Sequence, residues 1–324
     1  MPRLFSLAFF LLSSLPAFAQ KQNVYFLKND GRYVDNRDSA DYYRIVREPD
    51  SASTMYNVLE FYKDGKKKLI GKSSTINPIT FEETCISYFE NGKKQSLKTY
   101  TFGYLVGLEY DFFPNGKPYL VKEYIPILDK KKTSLFRSDY NIKENYDSLG
   151  TVQVENGNGY FKGFDDQFKY LNDEGKVKDG KMDGVWKGVD RDLKITFLEN
   201  YNEGKLISGA STDELGKVEN YKDSRTEYPE FNGGLEAFGR YLGKNIRYPE
   251  DARFKHIQAR VILRFLIQKD GKVTDVSILQ PVFPSLDAEA MKVMKNSPVW
   301  KPGTRFGRNI VCPYSVPISF TLSE

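Results

Sequence analysis

The chain holds a single histidine, His256, and it stands alone. A metal site needs several ligands at defined spacing, and no His, Cys, Asp or Glu cluster of that kind accompanies it. A serine nucleophile needs a strained elbow, and no Gly-x-Ser-x-Gly occurs. No carboxylate pair sits in a pattern suited to general acid–base work. Asp270-Gly271-Lys272 lies between two apolar runs, so it reads as a hairpin turn rather than a phosphate loop. Cys85 and Cys312 are too few for a disulfide framework. An oxidising compartment permits a bridge between them, and two buried thiols is the favoured reading. The residues therefore predict no enzyme, no cofactor and no metal. What remains is main-chain chemistry. Pro313 and Pro317 lie in or beside the last apolar run, and a proline removes a ladder donor, so that strand belongs at a sheet edge.

The elements around that strand are legible. Arg225 to Gly234 reads as a linker with a Gly-Gly hinge, within a proposed linker of residues 223–234. Leu235, Phe238, Tyr241 and Leu242 then recur on one helical face. Tyr248-Pro249 ends this helix and starts a short one, with Pro249 in its first turn and Glu250 and Asp251 where negative charge is favoured. Val261, Leu263, Phe265 and Ile267 alternate along a strand from Arg260 to Gln268. Val273 to Leu279 returns after the Asp-Gly turn. Pro281 and Pro284 end the return strand, and Ser285 is a suitable N-cap for a helix carrying Leu286, Ala290, Val293 and Met294. Trp300-Lys301-Pro302-Gly303 and a polar hairpin-like stretch lead to the last strand, where Val316, Ile318, Phe320 and Leu322 share a face. The predicted fold of residues 235–324 is α+β: a small antiparallel three-stranded sheet with helices on one face.

Several of these motifs occur in family order. Tyr248-Pro249 precedes Ala252-Arg253. Ile257-Gln258-Ala259-Arg260-Val261 leads into the strand. Asp270-Gly271-Lys272-Val273 and Trp300-Lys301-Pro302-Gly303 follow. From Tyr228 to Glu324 the chain resembles the C-terminal domain of TonB. Ala259 stands where many members have Gly, and Ile246-Arg247 where enterobacterial forms have Gln-Pro. The resemblance implies that a partner peptide adds to the sheet beside the final strand, Tyr314 to Leu322. The partner-binding residues it implies are Tyr248, Pro249, Tyr314, Ser315, Val316, Ile318, Ser319 and Phe320, with Ile318 expected to supply a backbone donor. The implied partner is an outer-membrane TonB-dependent transporter or similar envelope protein. Inner-membrane proton-driven motor proteins are a further implied partner, and related domains can pair as homodimers through edge strands. For Trp300 the residues favour a place in core and turn; for Tyr248 core and partner contact stay open.

Ahead of this domain one pattern recurs. Phe61-Tyr62-Lys63-Asp64-Gly65-Lys66, Tyr88-Phe89-Glu90-Asn91-Gly92-Lys93 and Phe112-Phe113-Pro114-Asn115-Gly116-Lys117 repeat aromatic, turn and basic residue. Looser copies appear at Asp30-Gly31-Arg32, Tyr170 to Lys176, Tyr201-Asn202-Glu203-Gly204-Lys205 and Leu215-Gly216-Lys217. Asn-Gly and Asp-Gly predict type I′ hairpin turns, so residues 20–222 read as an all-β hairpin-repeat region. The series resembles degenerate MORN-type repeats, and Lys181-Met182-Asp183-Gly184-Val185-Trp186 comes nearest; an irregular sheet without that kinship is the alternative. Residues 126–159 read as an insertion or long loop.

Residues 1–19 read as a signal peptide: Arg3, an apolar run from Leu4 to Leu12, and Ala17-Phe18-Ala19, with cleavage between Ala19 and Gln20. The run is far short of the ~20 residues that span a bilayer. Export to the periplasm is predicted, with an uncleaved inner-membrane anchor as the alternative. The net charge of +5 is uneven, since residues 229–324 hold 14 Lys/Arg against 9 Asp/Glu. That suits an anionic partner. No dense basic tract suggests nucleic acid. The chain thus reads as a non-enzymatic periplasmic protein serving outer-membrane transport. The alternatives are a true TonB energy transducer and a structural cell-envelope repeat protein.

Overall fold

The computed structural model describes residues 21–128 and 135–322. Ala19 and Gln20, the expected cleavage pair, lie outside them. The chain divides into two compact units, Met1–Gly157 and Asn158–Glu324.

The first unit is a succession of antiparallel strands. Tyr42–Arg47, Tyr56–Tyr62, Lys67–Ser73, Phe81–Tyr88 and Lys94–Thr101 each pair with the next. Gly107–Phe112 continues the order into Pro118–Leu128. The repeated turns differ from the expected type I′. Gly65 lies at φ 88°, but Asp64 keeps negative φ. Gly65 N–H donates to the Tyr62 carbonyl and Tyr62 N–H to that of Lys66, both at 2.8 Å. This is a type I turn closed by a left-handed glycine, the three-residue hairpin. Asp64 favours it because its carboxylate accepts the Lys66 N–H at 3.0 Å.

The residue before the glycine also decides what the following lysine does. In the Asn-Gly-Lys copies the turns are laced together. Asn91 donates its amide to the Pro114 carbonyl at 2.8 Å, and Lys93 Nζ reaches the Asn115 carbonyl at 2.6 Å. Asn115 and Lys117 repeat this on Ser148 and Leu149 at 2.9 and 2.7 Å. Where Asp replaces Asn, the lysine folds back: Lys66 pairs with Asp64 at 2.8 Å. A carboxylate cannot donate to the neighbouring turn and attracts its own lysine instead.

Of residues 126–159, expected as an insertion or long loop, the described ones are mostly strand. Leu135–Tyr146 pairs along Pro118–Leu128, with Tyr124 opposite Tyr140 and Lys122 opposite Ile142.

The second unit begins with strands Asn158–Phe164, Leu171–Lys178, Lys181–Asp190, Ile195–Asn202, Lys205–Asp213 and Val218–Tyr221. Gly175, expected in a turn, lies mid-strand opposite Trp186. A methyl group there would sit 2.4 Å from the indole. Gly209 stands opposite Tyr221 in the same way, with 2.3 Å available. The strand glycines are seats for aromatic rings on the next strand, so each ring lies flat on bare backbone. Trp186 is buried there and donates its indole N–H to the Lys176 carbonyl at 2.9 Å.

The unit ends in the expected three-stranded antiparallel sheet. The central strand Ala259–Ile267 lies between the return strand Val273–Gln280 and the final strand Cys312–Phe320. Helices α1 (Gly234–Asn245), α2 (Glu250–Phe254) and α3 (Pro284–Lys295) supply Phe238, Ala252, Leu286, Ala290 and Met294 to one core. The sheet contributes Val261, Leu263, Phe265, Ile267, Val316, Ile318 and Phe320 from one face. Three local expectations change. Leu235 is exposed, because α1 turns Phe238, not Leu235, into the core. Pro249 is the N-cap of α2 rather than a first-turn residue. Phe283 caps α3 and Pro284 occupies its first turn, which leaves Ser285 inside the helix. A proline that ends a strand also fits a helix start, since both tolerate a missing N–H.

Candidate functional site

The final strand is one of the two edges of its sheet among the described residues, the return strand being the other. Its side chains alternate strictly. Tyr314, Val316, Ile318 and Phe320 turn inward, while Pro313, Ser315, Pro317 and Ser319 are exposed. The backbone alternates too. Gln268 N–H donates to the Lys272 carbonyl at 2.9 Å, so even positions of the central strand bond toward the return strand. Odd positions therefore bond toward the final strand, where Leu263 faces Val316 and Val261 faces Ile318. Arg264 and Ile262 face Ser315 and Pro317 in the non-bonded pairs. The backbone groups of 313, 315, 317 and 319 thus point to the open side. Pro313 and Pro317 sit where a central-strand bond is not lost. Ser315 and Ser319 keep both donor and acceptor for an incoming strand.

This divides the expected site. Ser315 and Ser319 face the edge. Tyr314, Val316, Ile318 and Phe320 give their side chains to the core and their backbone to the central strand, so Ile318 is not a donor to a partner. Tyr248 packs edge-on against Phe320 with ring centroids 5.9 Å apart, and its hydroxyl donates to the Ile257 carbonyl. Pro249 accepts the Arg253 N–H at 2.9 Å. Tyr248 thus packs beside the end of the final strand, and Pro249 holds the first turn of α2.

The sequence motifs near the site are structural. Trp300 is in the core, in contact with Phe231, Phe238, Phe265 and Tyr314. Its N–H donates to the Gly271 carbonyl at 2.9 Å. A methyl group on Gly271 would lie 2.0 Å from the Trp300 carbonyl, which explains the Asp-Gly-Lys turn. Lys301 exchanges backbone hydrogen bonds with Glu230 at 2.8 and 3.0 Å.

A second feature escaped sequence reading. The hairpin of Thr304–Arg305 and Arg308–Asn309 carries Phe306 at its tip, with φ 53°. That conformation is unfavourable for a bulky residue unless its surroundings hold it. Here Phe306 stacks on Phe197 at 4.7 Å and meets Tyr221 edge-on at 5.8 Å. Its carbonyl accepts the Ser211 hydroxyl at 2.8 Å. Three arginines flank it. Arg225 binds Glu199 through Nε at 2.9 Å and Nη2 at 2.5 Å, and its guanidinium covers the Phe197 ring at 4.8 Å. Arg308 binds Asp213 at 2.8 Å, and Arg305 pairs with Asp190. Burial works against the charge on Arg225, but its hydrogen bonds to Glu199 outweigh that and hold it firmly protonated. Burial and the bond to Glu199 together raise the Tyr221 phenol. The stretch expected as a linker also holds strand Thr226–Glu227, paired to Arg305 and Thr304. The terminal sheet is therefore clamped to the glycine–aromatic strands of its own unit.

Residues 244–322 match the family model for the Gram-negative bacterial TonB protein C-terminal. No curated protein matches the chain. Over that stretch the chain is similar to this family. Domains of that family interact with outer-membrane transporters and transduce energy without enzymatic chemistry. Arg225, Glu199 and Phe197 precede the matched residues, while their clamp partners Phe306, Arg305 and Arg308 lie within them.

His256 is exposed after α2, with φ 53°. No group of three or more His, Cys, Asp or Glu residues could hold a metal among the described residues. Cys85 and Cys312 are both free thiols, and burial pushes the Cys85 thiol up to about 11. No helix among the described residues is long and apolar enough to cross a membrane.

Proposed function

We propose that the chain is an exported, non-enzymatic envelope protein whose TonB-like domain captures a segment of an outer-membrane transporter by strand addition along Cys312–Phe320. The observation that supports this is the outward-facing backbone of Ser315 and Ser319 on an edge strand whose other face is fully committed to its sheet. Main-chain hydrogen bonds supply affinity in this mode, and alternate side-chain positions supply selectivity. The strands of residues 158–221 hold the domain through the Arg225–Glu199 clamp and serve as its base.

The test uses the full chain and a fluorescently labelled peptide from the periplasmic N-terminal segment of a TonB-dependent transporter. Ser315→Pro removes an outward donor without touching the central-strand ladder. Anisotropy should show binding to the native chain and a roughly fivefold or greater loss in the variant, about one net hydrogen bond. Equal binding by both proteins contradicts strand addition here. N-terminal sequencing of the exported protein should begin at Gln20. A chain that starts at Met1 in the inner-membrane fraction moves the reading to an anchored transducer.

A further inference from the structure

Two charged side chains beside the open edge form no ion pair among the described residues. Arg260 and Arg264 lie on the central strand, exposed on the face turned away from the helices. Among the described residues neither guanidinium has a carboxylate within ion-pair distance. By register Arg260 stands opposite Ser319, and Arg264 opposite Ser315. Arg260 Nε lies 3.4 Å from Ser319 Oγ, so its guanidinium leans across the edge strand toward the free side. Nothing bulky blocks that path. The outer face of the edge strand carries only Pro313, Ser315, Pro317 and Ser319. On the other flank, Arg264 faces Ser277 and Ile262 faces Gln280, and the nearby exposed carboxylate of Asp275 accepts the Thr274 hydroxyl at 3.0 Å and makes no ion pair with either arginine.

We propose that this edge selects an acidic strand: an extended segment with carboxylates at positions i and i+4 on the face shared with Arg260 and Arg264. The inference rests on the strand-addition reading above. The spacing follows from the ladder. Ser315 and Ser319 are the positions that can exchange paired backbone bonds, and the partner residues opposite them are four apart. Side chains at i and i+4 of a strand point to the same face. Their carboxylates start two strand spacings from the central strand, roughly 9–10 Å away. Extended Arg and Glu side chains close that gap over serine. The partner's alternate residues extend the inner face beside Tyr314, Val316 and Ile318, so they are apolar. The selected segment alternates acid or small polar residues with apolar ones.

Binding of synthetic peptides of about ten residues to the full chain tests this by fluorescence anisotropy. One alternates Thr and Val and carries two Glu four positions apart on the Thr face. A second has Gln at both places. A third places the two Glu three apart, so they cannot share a face in any register. The first should bind roughly five- to tenfold tighter than the second, in keeping with two cross-strand charge pairs at a surface. The third should lose about half of that gain, and salt near 1 M should remove it. Arg260→Glu with Arg264→Glu should reverse the preference toward a peptide with Lys at the same positions. Equal binding of the Glu and Gln peptides, with Ser315→Pro weakening both, overturns charge selection and leaves strand addition standing. No binding by any peptide overturns both.

Discussion

The glycine–aromatic strands and the TonB-like sheet belong to one unit but solve the same problem differently. In the sheet of residues 259–320 every inward side chain joins a single apolar cluster with three helices. Its outer face and its two edge strands are left unpaired among the described residues. In the strands of residues 158–221 no helix covers the sheet. Stability is shared among local pairs: Trp186 over Gly175, Tyr221 over Gly209, Arg225 on Glu199. A concentrated core releases a surface for binding, whereas distributed pairs use both faces. The difference suggests a division of labour, with one part presenting an edge and the other fixing it.

Breaking the clamp should have the largest effect. Arg225→Met strands Glu199, whose side chain is fully buried. Removing one partner of a buried pair costs about 3–5 kcal/mol. The chain holds two tryptophans, Trp186 in the strands and Trp300 in the terminal core. With 5-fluorotryptophan labelling each region has its own fluorine resonance. The native chain should lose both signals at one urea concentration, and the variant should lose them separately. Coincident transitions in the variant would show that the clamp does not couple the regions.

A smaller effect separates two kinds of glycine. Gly175→Val fills the seat of the indole and should cost about 1–3 kcal/mol as overpacking. Gly239 in α1 has open space around its missing side chain. Gly239→Ala should therefore stabilise by about 0.5–1 kcal/mol. Chemical denaturation of both variants checks the contrast, and equal effects would refute the seat.

A pH-dependent effect concerns charge in the first unit. Burial and the neighbouring Glu109 carboxylate push Asp111 up to about 6 from an ordinary 3.8. The folded state then holds the proton more tightly than the unfolded chain, so stability falls as pH rises from about 4 to about 6. Asp111→Asn should remove that slope, a change of about 1–2 kcal/mol across the window. An unchanged slope in urea titrations at several pH values would contradict it.

The TonB-like half was legible because its period-2 and period-3.6 patterns are clean. Val261 to Ile267 and Leu286 to Met294 announce their faces without help from elsewhere. Local signals failed where a long-range partner decides. Gly175 resembles a turn residue until Trp186 is placed opposite it. Arg225 resembles a linker charge, and Phe306 a polar-hairpin residue, until both meet Phe197. Ile318 resembles a partner donor until the register sends its backbone inward. The outward direction of Ser315 and Ser319 was within reach of sequence, since Pro313 and Pro317 share their parity. Arg260 and Arg264 could be placed on a face by alternation, but their lack of an ion-pair partner is a tertiary fact.

Amide hydrogen exchange on the full chain, with and without the transporter segment, tests the central claim most directly. Tyr314, Val316, Ile318 and Phe320 are already bonded to the central strand and should exchange slowly in both states. Ser315 and Ser319 should exchange fast in the free chain and become protected on binding. Protection along Val273–Gln280 instead, or none at Ser315 and Ser319, would contradict capture at this edge.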